Sequence, residues 1–147
     1  MIRLATAADI PRIFEIRHSV RENVLSDPRR VTETDVRWFV ENGALFVWQE
    51  ADGTVAGFGA GDPRDGSIFA LFVAPGHEGK GIGRALLRQA CETVRAAGHR
   101  EAWLTTEEGT RAERHYRADG WTADGCGAEG EIVFRKGLSP DLVPRKS

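Results

Sequence analysis

The apolar positions change period twice along the chain, and each change marks a new kind of element. From Ile10 the spacing is helical. Ile10, Ile13, Phe14, Val20 and Val24 fall near i, i+3, i+4 intervals and predict an amphipathic helix that runs to about Asn23, with Arg17, Arg21 and Glu22 toward its rim. Thr6-Ala7-Ala8-Asp9 just before it reads as a capping box, and a short apolar strand, Ile2 to Ala5, precedes the box. A second box, Thr32 to Asp35, opens a helix carrying Val36, Trp38 and Phe39, with Gly43 placed for a left-handed C-terminal cap. From Ala44 the period becomes two, or short continuous apolar runs: ALFVWQE, a turn at Asp52-Gly53, TVAGFGAG, a turn near Asp65-Gly66, then SIFALFVAP. That order predicts a three-stranded antiparallel meander. Helical spacing returns over Ile82 to Ala97, with Ile82, Ala85, Leu86, Ala90 and Val94 on one face and Gly98 as the stop. A strand EAWLTT, a helix around Ala112 to Ala118, and closing strands near Trp121 and over EIVFRKGL complete the order.

At 147 residues, 41% hydrophobic and 29% charged, the chain fits one globular domain, expected over 1–138, with a loose tail over 139–147. With 20 basic against 22 acidic side chains and a pI near 6.1, it carries no field that would gather nucleic acid or an anionic membrane. Small or specific partners are expected, and a homodimer stays open as the commonest oligomer. Cys91 and Cys126 belong to no C-x-x-C or Cys/His spacing, so neither a metal site nor a disulfide is expected. The N-terminal stretch is charged throughout and no apolar run approaches about 18 residues, which points to a cytoplasmic, unanchored protein.

Candidate chemistry concentrates in His77 to Leu87, HEGKGIGRALL. A pyrophosphate needs several converging N–H donors without Cβ atoms in the way, and Gly79, Gly81 and Gly83 at alternate positions supply that freedom. The helix that starts there adds its unpaired amides and positive dipole end, and Lys80, Arg84 and Arg88 add point charges. The strand before it ends at Pro75, which cannot donate to a ladder, so the sheet is expected to open there and leave backbone groups of Leu71, Phe72 and Val73 for a ligand. Other phosphate motifs fail: Gly76 to Gly81 has Walker A glycine spacing but continues with Ile82 rather than Lys-Ser/Thr, and no G-x-G-x-x-G follows a first parallel strand.

Glu78-Gly79-Lys80-Gly81-Ile82-Gly83 resembles the [Gln/Arg]-x-x-Gly-x-[Gly/Ala] signature of the GNAT superfamily of N-acetyltransferases, and GTRAERHYRADGW, Gly109 to Trp121, resembles its second signature, Asn-x-x-Ala-x-x-[Phe/Leu]-Tyr-x-x-x-Gly-[Phe/Trp]. The family's order of elements extends over most of the chain. The resemblance implies an α+β, three-layer fold: a mixed, mostly antiparallel central sheet of about seven strands with helices on both faces. It also implies acetyl-coenzyme A (acetyl-CoA) as cosubstrate, held by Leu71, Phe72, Val73, the loop Glu78, Gly79, Lys80, Gly81, Ile82, Gly83 and Arg84, and the region of Gly109. An amine would attack the thioester directly, with the carbonyl oxygen held by a backbone N–H near Val73. Two positions depart from the pattern. Glu78 puts a negative charge where the family has Gln or Arg, and Gly109 replaces an Asn, leaving Thr110 to cap the helix.

Tyr116 matches the family's general acid, whereas His115 reads as a packed or half-exposed histidine with no catalytic role. An amine near the lysine pKa of about 10.4 needs a base, and Glu22 is the first candidate, with Glu107 next and Asp27 and His18 behind. Each of these carboxylates reads equally as solvated surface. Trp38 and Trp48 are candidates for a substrate wall or for core. A non-catalytic acyl-coenzyme A binding module is the alternative that Glu78 and Gly109 favour.

Overall fold

The computed structural model describes residues 1–19, 32–127 and 130–138. The tail over 139–147, and with it Glu22 and Asp27, lies outside the described residues. The elements follow the predicted order: β1 (Ile2–Leu4), a 3-10 turn (Ala7–Asp9), α1 (Ile10–Ser19), α2 (Glu33–Glu41), β2 (Leu45–Gln49), β3 (Val55–Gly61), β4 (Ile68–Val73), α3 (Ile82–Ala96), β5 (Glu101–Thr106), α4 (Arg111–Ala118), β6 (Thr122–Cys126) and β7 (Ile132–Gly137).

The first capping box forms in full, and at Thr32 the hydroxyl caps the helix without the reciprocal bond to its own amide among the described residues. The Asp9 carboxylate accepts from Thr6 N–H at 2.8 Å, and Thr32 Oγ1 accepts from Asp35 N–H at 3.2 Å. Asp9 also takes a two-pronged grip from Arg3, Nη1 to Oδ2 and Nη2 to Oδ1 both at 2.9 Å, which ties the entry of α1 to β1.

The seven strands divide into two sheets, each contiguous in sequence. β1-β2-β3-β4 is an antiparallel sheet of four, and β5-β7-β6 an antiparallel sheet of three. Among the described residues one parallel bridge joins them, Ser67 to Trp103, where Trp103 N–H donates to Gly66 O at 3.1 Å. The opening expected at Pro75 therefore starts earlier. β4 and β5 make no ladder beyond the Ser67 bridge among the described residues.

Two cores follow from this layering. On one face of the four-stranded sheet, α1 and α2 bury Ile13, Ile16, Val36 and Phe39 against Val47, Phe58 and Phe72. Phe58 and Phe72 stack with ring centroids 5.2 Å apart, and each such buried side chain is worth about 1.5–3 kcal/mol of transfer free energy. On the other face, Leu86, Ala90 and Val94 of α3 share a core with Leu104, Phe134, Trp121 and Tyr116. α3 thus walls both sheets. It comes close because β3 presents glycines to it: a Cβ on Gly57 would lie 3.1 Å from Leu86 Cδ1 and 3.2 Å from Ile82 Cγ2, and one on Gly61 would overlap the backbone of Ala90.

Candidate active site

The loop after β4 is shaped by its backbone. Ala74 N–H makes the last ladder bond, to Ala56 O at 2.8 Å, and His77 N–H then turns back onto Ala74 O at 3.1 Å. Gly79 and Gly81 both sit at φ +82°, a conformation a side chain would strain, and α3 begins immediately after. Its start differs from those of α2 and α4. Those helices begin at Thr32 and Thr110, whose hydroxyls accept from the amide three residues on, at 3.2 and 3.1 Å. α3 begins at Gly81 with no capping side chain, so the first-turn amides keep their hydrogen-bonding capacity and the positive end of the helix dipole faces outward.

A cleft of about 740 Å³ opens onto this helix start. Gly79, Gly81, Ile82, Gly83 and Arg84 form one side, Leu71 and Val73 of β4 the floor, and Arg111, Ala112, His115 and Tyr116 of α4 the opposite wall. Since Ala74 and Ala56 are a hydrogen-bonded pair, the alternation of an antiparallel ladder directs the backbone groups of Phe72 to β3 and those of Leu71 and Val73 to the open side. Leu71 and Val73 are thus placed as the sequence suggests. Phe72 offers the cleft nothing: its ladder groups face β3 and its ring is in the α1–α2 core.

Tyr116 is 1% exposed, its ring packed 5.8 Å from Trp121 and 6.0 Å from Phe134. Its hydroxyl is buried with no hydrogen-bond partner among the described residues, although the residue lines the cleft. Burial pushes this hydroxyl far above the phenol range, and nearby Cys91 and Asp119 act in the same direction. It stays protonated at any working pH. A buried polar group is normally paired, so an orphaned donor in a cleft wall is a place for a ligand atom.

Glu78 lines the cleft, but its carboxylate is engaged locally, accepting from Gly76 N–H at 2.9 Å. Its own N–H and that of Gly76 hold its carboxyl below the usual carboxylate range. Lys80 turns away from the lining, with Nζ 3.6 Å from Glu50 Oε2. Gly109 is at φ +83° and donates its N–H to Glu113 Oε1 at 2.7 Å, while Thr110 caps α4 as expected. Glu22 falls outside the described residues, but Ser19, three positions before it, lines the cleft. Glu107 and His18 are exposed and do not line it, and Trp38 and Trp48 pack against the two cores. Arg111 lines the cleft although no motif singles it out, and His77 and His115, the latter half-exposed as its sequence context suggests, line it as well. Adjacency to the two signatures was the available signal, since His77 opens the glycine loop and His115 precedes Tyr116.

Residues 10–121 match the model of the Acetyltransferase (GNAT) family. Among curated proteins, the chain is 38% identical over 92 residues to streptothricin acetyltransferase of Streptomyces lavendulae, covering 59% of this chain and 48% of that one. It is 35% identical over 97 residues to mycothiol acetyltransferase of Stackebrandtia nassauensis, covering 59% and 32%. The chain thus spans about half and about a third of the length of these relatives. In fold it resembles a phosphinothricin acetyltransferase of Sinorhizobium meliloti solved with acetyl-CoA, with a TM-score of 0.74 and 23% identity over 95% of this chain and 88% of that one.

Proposed function

The chain belongs to the acetyltransferase (GNAT) family, and from that premise we propose that it moves the acetyl group of acetyl-CoA directly to a primary amine of a small molecule or peptide. The observation that carries this reading is one cleft that holds both an uncapped helix start, suited to a pyrophosphate, and a buried hydroxyl with no partner among the described residues. That two curated relatives are named for streptothricin and mycothiol supports a small-molecule acceptor.

In the proposed reaction the amine nitrogen attacks the thioester carbonyl, the outward N–H at Val73 or Leu71 steadies the developing oxyanion, and the C–S bond breaks. The departing thiolate, with a pKa of roughly 8.5, is a weaker base than the ionised Tyr116 would be. Tyr116 therefore acts first as a hydrogen-bond donor to the sulfur and does not hand over its proton early. Glu22 is the proposed base for the amine, a role supported by the position of Ser19 in the cleft. Calorimetric titration with acetyl-CoA, followed by an amine screen read through free thiol, tests the reading. Saturable binding with thiol release against one amine is expected, and a folded protein that binds no acetyl-CoA would overturn it. Binding without transfer across a wide panel would instead favour the non-catalytic module, for which the carboxylate of Glu78 inside the cleft is the specific observation.

A further inference from the structure

The turn joining β2 to β3 lies outside the cleft, yet it reaches the phosphate-type loop. Glu50 is fixed at its base, since its N–H donates to Thr54 O at 2.7 Å and its carbonyl accepts from Gly53 N–H at 2.9 Å. Its side chain crosses to the loop. Oε2 lies 3.1 Å from His77 Nδ1 and 3.6 Å from Lys80 Nζ, and Oε1 accepts from Trp48 Nε1 at 3.4 Å. The His77 and Glu50 side chains are only 26% and 27% exposed, so that contact is partly shielded, whereas Lys80 at 55% is the looser partner. His77 and Lys80 flank Glu78-Gly79, and one carboxylate thus grips both ends of the segment that precedes α3.

A loop with three glycines at positive φ between residues 76 and 81 has much backbone freedom to lose when a ligand fixes it. An anchor outside the cleft removes part of that loss from the binding step, which is how pre-ordering raises affinity. Charge alone argues the other way. A carboxylate beside an anion site repels the anion, so on that account its removal should tighten binding. The shared oxygen, the shielded histidine contact and the fixed turn favour the anchor.

We infer that Glu50 is a positioning residue that pre-orders the 76–81 loop for the phosphates of the coenzyme by holding His77 and Lys80. The affinity half of this inference rests on the activity proposed above, and the loop half does not. The test compares the full chain with Glu50→Ala and Glu50→Gln, the latter keeping an acceptor for His77 and Trp48 while dropping the charge opposite Lys80. Hydrogen exchange of the 76–81 amides in the free protein should quicken severalfold in Glu50→Ala and less in Glu50→Gln. Unchanged exchange overturns the inference. Titration with coenzyme A should show Kd raised about five- to twentyfold in Glu50→Ala, with KM for acetyl-CoA following it and kcat at saturation within about twofold, as expected when only pre-ordering is lost. Tighter or equal binding by Glu50→Ala overturns it in favour of simple repulsion. Lys80→Ala and His77→Ala should each weaken binding less when added to Glu50→Ala than when made alone, and full additivity also counts against the clamp. If the unaltered chain binds no coenzyme A, the proposed activity and the affinity half fall together, while the exchange result still decides whether Glu50 orders the loop.

Discussion

Tyr116 combines two properties that pull against each other in stability but together suit catalysis. Its ring is packed among Trp121 and Phe134, and its hydroxyl has no partner among the described residues. Tyr116→Phe removes only that oxygen. Turnover should fall by about a hundredfold, the usual scale for losing a proton-transfer group, with the Kd for acetyl-CoA nearly unchanged. The thermal midpoint should not fall, because an unpaired buried hydroxyl contributes no hydrogen bond to lose. A variant that turns over normally would remove Tyr116 from the reaction. Glu78 makes the complementary case. Its carboxylate is satisfied by loop amides but still adds a negative charge to an anion site. Glu78→Gln should tighten acetyl-CoA binding about three- to tenfold, the size expected for one exposed like charge removed at a few ångströms in water. Weaker binding by calorimetry would mean that the Gly76 bond matters more than the repulsion.

Among the elements, β3 and α3 are the most tightly matched pair. GFGAG reads in sequence as a strand with weak propensity, and nothing in its period says what the glycines face. The structure supplies the reason: α3 lies so close that side chains there would meet the helix or β4. Gly61→Ala should destabilise the fold by about 1–3 kcal/mol through overpacking, seen as a lower urea midpoint at unchanged m-value. The same contrast marks what could be read from sequence. Element order, the helix-capping threonines and the start of α3 are local, written in residues a few positions apart, and are legible in the sequence. The division into two sheets, the outward turn of Lys80 and the reach of Glu50 to His77 join residues 27 or more apart in sequence, and no local pattern records them. That Phe72 turns its backbone groups to β3 has a related cause, since which ladder groups face the gap depends on the register with β3 and not on β4 itself.

For the whole molecule, buried and paired ionisable groups set a pH window for stability. Hydrogen bonds from Arg3 hold the Asp9 carboxyl below its ordinary range, so the stability it contributes is present above that range and is lost as pH falls through the depressed value. At the alkaline end, burial pushes the Cys91 thiol up to about 11. A raised pKa means that the folded chain holds this proton more tightly than the unfolded one, so stability falls from the ordinary thiol value, roughly 8.5, up to that point. Denaturation midpoints should therefore be flat near neutrality and decline at both ends. Cys91→Ala should remove most of the decline between about pH 9 and pH 11, leaving that of Tyr116. An unchanged alkaline limb would mean that the thiol is not the group responsible.

The two sheets, each contiguous in sequence and joined by one bridge among the described residues and by a shared core, bear on how the protein is made. Every residue proposed to grip the phosphates lies at or before Arg84, and α3 closes that half at Ala96. Tyr116 arrives with the second half. Of the two halves, the one made earlier carries the proposed anion site without the proposed donor, so on that reading activity requires β5, β6 and β7 to pack against α3. If the proposed activity holds, it should report whether the two halves have joined more sensitively than coenzyme binding does, and the two signals should separate in refolding followed in time.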